Sequence, residues 1–433
     1  MVCCALCAVA ASGLFAQNVS VSKKHIPGDA AAGALDNLLV AAQQAMDRQD
    51  YTAAAQDYQD YLAQKPDDAV AHYDLGCAYT AMERPADAKA EYEKAVSLDP
   101  KMGPAYENLG VTLLESDASA AVAPLRKGAE LLPDDAKAKR LLGNALELSG
   151  EVAPAIDEYQ AAEKLDGKDP EIRNSLGRAL LKAGKPADAE AAYREALALD
   201  PEGPALEKAH LGLAESLIAE KKSEEAAAEL AAYLKTQPND TQARVERASV
   251  LADLGKDDDA LAELDRAASA GPESLRALQL RADIYFDGKR YADAVPVLQK
   301  AAALAPHDPE ILAHLGRAYM EAKNYPSAVQ ALAAAFELNP KDNSVLGALV
   351  SAEYENQNWP AALKGIDLLS EHEALSPVRW FLRASCYDKL GQSDEALSAY
   401  KTFLQLNKDQ TSDMYFVAAE RVRVLTRERG KKK

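Results

Sequence analysis

A small residue recurs along the chain at a nearly constant interval, and that period restricts the fold more than any local motif does. It stands at Ala42, Gly76, Gly110, Gly143, Gly177, Gly212, Ala248, Ala282, Gly316, Val350 and Ala384, in steps of 33 to 36 residues with 34 the commonest. Twelve residues beyond most of these anchors lies a second small residue, as at Ala54, Ala88, Ala189, Ala294 and Ala396. Four residues further comes a larger apolar one: Tyr58, Tyr92, Tyr159, Tyr193, Leu264, Leu298, Leu332, Ile366 or Tyr400. A step of four keeps the two on one helical face. A unit this short cannot bury an apolar face alone, so successive units must stack. Composition agrees, since 88 of the 433 residues are Ala, the strongest helix former, and only 6% are aromatic. A β-sandwich and a disordered chain both fit poorly.

About ten residues ahead of each following anchor sits a breaker: Pro66, Pro100, Pro133, Gly167, Pro201, Pro238, Pro272, Pro306 or Pro340. Such a residue ends one helix and lets the next begin. Within the unit, polar turns such as Ala183-Gly184-Lys185-Pro186 separate a first helix from a second that opens on Pro, where a missing N–H costs nothing. The unit is therefore two antiparallel helices. Pro124 and Pro296 fall deeper inside second helices and predict mild kinks.

These residues resemble the tetratricopeptide repeat, a 34-residue helix-turn-helix with small residues at its helix crossings and a closing Pro; Asn108-Leu109-Gly110 and the series Ala88, Tyr92, Pro100 carry the match. The resemblance covers about eleven units over residues 35–410 and implies an all-α, right-handed superhelical solenoid of antiparallel helix pairs. Units three, six, seven and ten each lose a marker. Val350 replaces a small anchor, no Pro closes unit ten, and extra residues fall near Gly203 and Lys221. Residues 411–428 carry Met414, Val417, Val424 and Leu425 between charges, which predicts a capping helix, with 429–433 a basic tail.

Residues 1–16 are almost continuously apolar and end Phe15-Ala16-Gln17. The run is too short to span a bilayer comfortably and reads as a signal peptide lacking its positive n-region, followed by a flexible leader over 17–34. The expected destination is the periplasm or cell envelope. Cleavage would remove Cys3, Cys4 and Cys7, leaving Cys77 and Cys386 as two distant buried thiols, so a disulfide framework is excluded. The net charge of −19 argues against nucleic acid. Seven Lys and Arg against three acids after Thr411 leave −23 on the rest.

No constellation for catalysis, metal or cofactor is present. His372-Glu373-Ala374-Leu375-Ser376 begins like a zinc-binding helix but has Ser where the second His must stand. Binding is the expected activity, because stacked helix pairs line an extended surface with their first helices. With the anchor as position eight, the resemblance places groove residues at positions two, five, nine and twelve. Units four and five stand out there, presenting Lys137, Arg140, Asn144 and Glu147, then Glu171, Asn174, Arg178 and Leu181. Lys137, Arg140, Asn144, Asn174 and Arg178 form the candidate partner-binding set, suited to a carboxylate or peptide backbone. The competing reading is a neutralised seam, with Lys137 and Arg140 paired to Glu171 and Glu147. Elsewhere the groove reads as small or apolar, with Leu213, Phe286 and Met320 among its members. The expected function is a non-enzymatic scaffold that binds a protein or peptide and associates peripherally with the envelope. The alternative is a structural subunit of an envelope machine for polysaccharide export, pilus or outer-membrane assembly.

Overall fold

A computed structural model describes residues 30–203, 205–372 and 374–431; the predicted signal peptide lies outside them. The described residues form 23 helices and no strand. Eleven pairs follow one another: α1 (Ala30–Asp47) with α2 (Tyr51–Leu62), α3 (Ala69–Ala81) with α4 (Pro85–Leu98), α5 (Gly103–Leu114) with α6 (Ala118–Leu131), α7 (Ala136–Leu148) with α8 (Val152–Leu165), α9 (Pro170–Lys182) with α10 (Pro186–Leu199), α11 (Leu206–Ala219) with α12 (Ser223–Thr236), α13 (Thr241–Asp253) with α14 (Asp257–Ala270), α15 (Leu275–Asp287) with α16 (Tyr291–Leu304), α17 (Pro309–Glu321) with α18 (Tyr325–Leu338), α19 (Asn343–Glu355) with α20 (Trp359–His372), and α21 (Pro377–Lys389) with α22 (Ser393–Leu406). A single helix, α23 (Asp413–Lys431), ends the chain. The pairs form two compact units, α1 to α12 and α13 to α23.

Each pair is punctuated at both ends by local chemistry. Two residues after the breaker, Asp68, Asp135, Asp169, Asp240, Asp308 and Asp342 cap first helices; the Asp308 carboxylate accepts from the Glu310 N–H at 2.9 Å. At the other end, the residue seven beyond the anchor takes a positive φ, as at Glu83, Gly184, Lys323 and Gly391. The left-handed turn lets Gly184 N and Lys185 N donate back to Leu181 O and Leu180 O, both at 3.0 Å.

The anchors are buried because the second helix crosses over them. A Cβ on Gly76 would lie 2.6 Å from the Tyr92 ring, one on Gly143 2.6 Å from Tyr159, and one on Gly316 2.5 Å from Leu332. Val350 departs from this pattern, and the room is made on the opposite helix: a Cβ on Gly365 would meet Val350 Cγ2 at 2.5 Å. Cys77 and Cys386 are buried free thiols, and burial pushes each up to about 11.

The structure corrects several sequence expectations. In the sixth pair the anchor is Ala214, not Gly212: Lys221 is the left-handed residue, Ala226 and Leu230 fill the core, and Pro238 closes the unit, all in the standard spacing from Ala214. The hydrogen-bonded pair His210–Glu229 then falls in register with His72–Glu91 and Arg244–Glu263, each 19 residues apart. All the extra length therefore lies between α10 and α11, none of it at Lys221. In the third pair the missing residue is the left-handed one, so α5 stops at Leu114 and Asp117 caps α6 directly. Pro124 and Pro296 lie inside α6 and α16, as the sequence places them. Helix α1 begins at Ala30, inside the predicted leader, and α23 continues to Lys431, into the predicted tail. It packs Ala418 and Leu425 against Tyr400 and Phe403 and pairs Arg421 with Asp388 at 2.6 Å, whereas Val417, expected on the apolar face, is exposed.

Candidate functional site

First helices of successive pairs touch one another, α5 with α7, α7 with α9 and α9 with α11, so that positions two, five, nine and twelve align in rows. The predicted polar set lies here, on α7 and α9. Its central group is Glu147, buried with its side chain 1% exposed. Arg178 clamps it through two nitrogens at 2.8 and 2.9 Å, Lys182 adds a bond at 2.6 Å, and the Tyr159 hydroxyl donates at 2.9 Å. Burial alone would raise the Glu147 carboxyl; the Arg178 and Lys182 bonds outweigh it and hold it below the ordinary range. Asn144 Oδ1 accepts from Arg178 at 3.2 Å and lies 2.7 Å from the Tyr159 hydroxyl, whose single hydrogen it shares with Glu147.

The remaining members divide. Lys137 pairs with Glu107 of α5, and Lys208, not Lys137, meets Glu171 at 3.2 Å. Asn174 is buried and donates to the Ala205 carbonyl at 3.0 Å, tying α9 to the lengthened α10–α11 link. Arg140 Nε and Asn174 Oδ1 are buried with no hydrogen-bond partner among the described residues. The structure thus brings Asn144 and Arg178 together around an internal carboxylate and leaves Arg140 outside that network. With Ala214 as the anchor, the sixth pair presents Lys208, Leu211, Glu215 and Ile218, and Leu213 moves into the core.

In the second unit a recess opens along the corresponding helices. A cavity of about 420 Å³ is lined by Ser249 of α13, Arg276, Gln279 and Asp283 of α15, and Glu310 and His314 of α17, over an apolar floor. The Phe286 ring packs on His314 with centroids 4.3 Å apart, and His314 Nδ1 lies 3.8 Å from Asp283. Burial raises the Asp283 carboxyl and lowers the His314 imidazole, favouring the neutral form of each. Over about 10 Å of helix, Arg276 offers donors, Gln279 a donor and an acceptor, and Asp283 an acceptor. The sequence reading picked only Phe286 and Met320 from these helices. The signal was present, since Arg276, Gln279 and Asp283 occupy positions two, five and nine of the eighth unit. No group of His, Cys, Asp or Glu among the described residues is placed to hold a metal ion.

An all-α array of helix pairs joined by such turns is a repeat protein, and the family comparison says which. Tetratricopeptide repeat patterns match residues 45–110, 116–170, 174–241, 245–309, 285–352 and 379–410. The chain belongs to the tetratricopeptide repeat family, whose fold serves protein interaction. Similar solved structures include PilF of Pseudomonas aeruginosa, 23% identical over 48% of this chain and 93% of that one, with a TM-score of 0.42. Yeast Tom70 is 14% identical over 92% of this chain and 96% of its own, at 0.36. YrrB, described as having an unusual peptide-binding site, is 23% identical over 43% and 96%, at 0.38. No curated protein sequence matches the chain.

Proposed function

We propose that the chain is an exported, non-enzymatic scaffold that holds an extended segment of a partner protein against its first helices, with the recess over α13, α15 and α17 as its grip. The carrying observation is that three successive first helices turn hydrogen-bonding side chains at groove positions into one cavity of about 420 Å³. Arg178 and Asn144, by contrast, are satisfied within the protein. Peptide amides bonded in such a recess recover the hydrogen bonds they lose from water, and the apolar floor supplies the driving force. The export reading rests on the apolar run of residues 1–16.

A photo-crosslinking side chain at Gln279 tests the site directly. It should capture a discrete partner from an envelope extract of the host, with capture abolished by Asp283→Arg and retained by Arg178→Ala. Loss of capture with Arg178→Ala in a folded protein, together with indifference to Asp283→Arg, returns the site to α7 and α9. N-terminal sequencing of the mature protein tests export: a chain starting at Gln17 supports it, and one retaining Met1 rejects it.

A further inference from the structure

Helix α23 closes the last pair with one face and leaves a second face uncovered. Met414, Ala418 and Leu425 turn inward, and Phe416 and Val417 are 61% and 48% exposed on the opposite side. At 100° per residue these two share a stripe with Asp413, Glu420, Arg423, Val424 and Arg427. All of them are exposed except Val424, which is half-buried. A terminal repeat normally shows water a polar outer face. An apolar pair in the N-terminal half of that face is a departure that calls for a partner.

The order of charges along the stripe identifies one. Asp413 stands at the N-terminal end and Arg427 about 21 Å away at the other. Two copies of the stripe laid antiparallel across Glu420 bring Asp413 of each opposite Arg427 of the other, and Phe416 opposite Val424. Val417 then meets the aliphatic stem of Arg423, and Glu420 meets its own copy at the crossing, each carboxylate neutralised by the Arg423 of its own helix at 3.3 Å. A parallel alignment would place Asp413 on Asp413 and Arg427 on Arg427.

We propose that α23 is a self-complementary docking helix, and that two copies of the chain join through it in an isologous, antiparallel contact. Pairing in this sense satisfies a two-fold axis and therefore stops at a dimer, whereas a non-self-complementary stripe would propagate. One helix pair buries less surface than a standard interface, so the dimer is weak and concentration-dependent.

Sedimentation velocity on the full chain over a range of concentrations provides the test. A monomer–dimer equilibrium is expected, and Phe416→Ser with Val417→Ser should abolish it without changing the circular dichroism. Arg427→Asp and Asp413→Arg should each weaken dimerisation about tenfold, since each sets like charges opposite one another twice across the axis. The double variant Asp413→Arg, Arg427→Asp should restore it, an outcome only the antiparallel register predicts. A chain that stays monomeric throughout overturns the proposal. So does a dimer insensitive to the Ser variants, or a monomer that instead adsorbs to phosphatidylglycerol vesicles through Arg423 and Arg427.

Discussion

At the residue scale, fit across each helix crossing is a matter of summed size rather than of one favoured side chain. Gly143 admits the Tyr159 ring, and in the tenth pair Gly365 admits Val350. Gly365→Ala should therefore destabilise the protein by about 1–3 kcal/mol despite the better helix propensity of Ala, and Val350→Ala in that background should recover most of the loss. Urea melts of the two single variants and the double variant close the cycle; additive losses would rule out the contact. Two carboxyls titrate in opposite senses. Burial, with Asp68 beside it, pushes Asp74 up to about 7 against the downward pull of the Tyr58 hydrogen bond. Its folded state holds the proton more tightly than the unfolded chain, so stability falls as pH rises from the ordinary carboxylate range to about 7. Asp74→Asn should flatten that slope in thermal melts across the same window. Glu147 is held low, so its contribution is full above the ordinary carboxylate range and is lost as pH falls through the folded value. Glu147→Gln should cost about 2 kcal/mol at pH 7, reduced by the part-exposure of Arg178, and little in acid.

At the element scale, most pairs combine a side-chain cap with a left-handed turn, and the third pair does without the turn. Several turns seat Lys, Gln or Glu at a φ that Gly adopts without cost, among them Lys323 at 60°. Lys323→Gly should stabilise the second unit by about 0.5–1 kcal/mol, and Gly184→Lys should destabilise the first by a similar amount. Chemical denaturation followed separately for the two units by hydrogen exchange would show it. The Asp caps two residues past the breakers were legible in sequence as a Pro-x-Asp pattern. The register of the sixth pair was not, because Gly212 and Ala214 are both small. Tertiary contacts separate them: a Cβ on Gly212 would strike the Tyr193 ring of the preceding pair, at 2.2 Å, whereas Ala214 sits in the anchor place of its own pair.

At the scale of the whole molecule, stability is a sum over pairs and their neighbours, so damage stays local. Removing residues 411–433 uncovers Tyr400 and Phe403 and frees Asp388 from Arg421. Hydrogen exchange should accelerate in α21 and α22 and stay unchanged in α1 to α10; uniform acceleration would refute a local cap. Period, helix pairing, family and the core positions of the regular pairs were determined by the sequence itself, because weak signals add in phase over eleven units. Charge partners were left open, because a position on a helix names a face and not a neighbour. Only the packed structure decided that Arg178 spends its charge on Glu147 across a pair boundary, that Lys137 finds Glu107, and that Arg276, Gln279 and Asp283 open onto a recess. Those outcomes depend on distances between residues some 30 positions apart, set by how neighbouring pairs lean on one another, which no single period encodes.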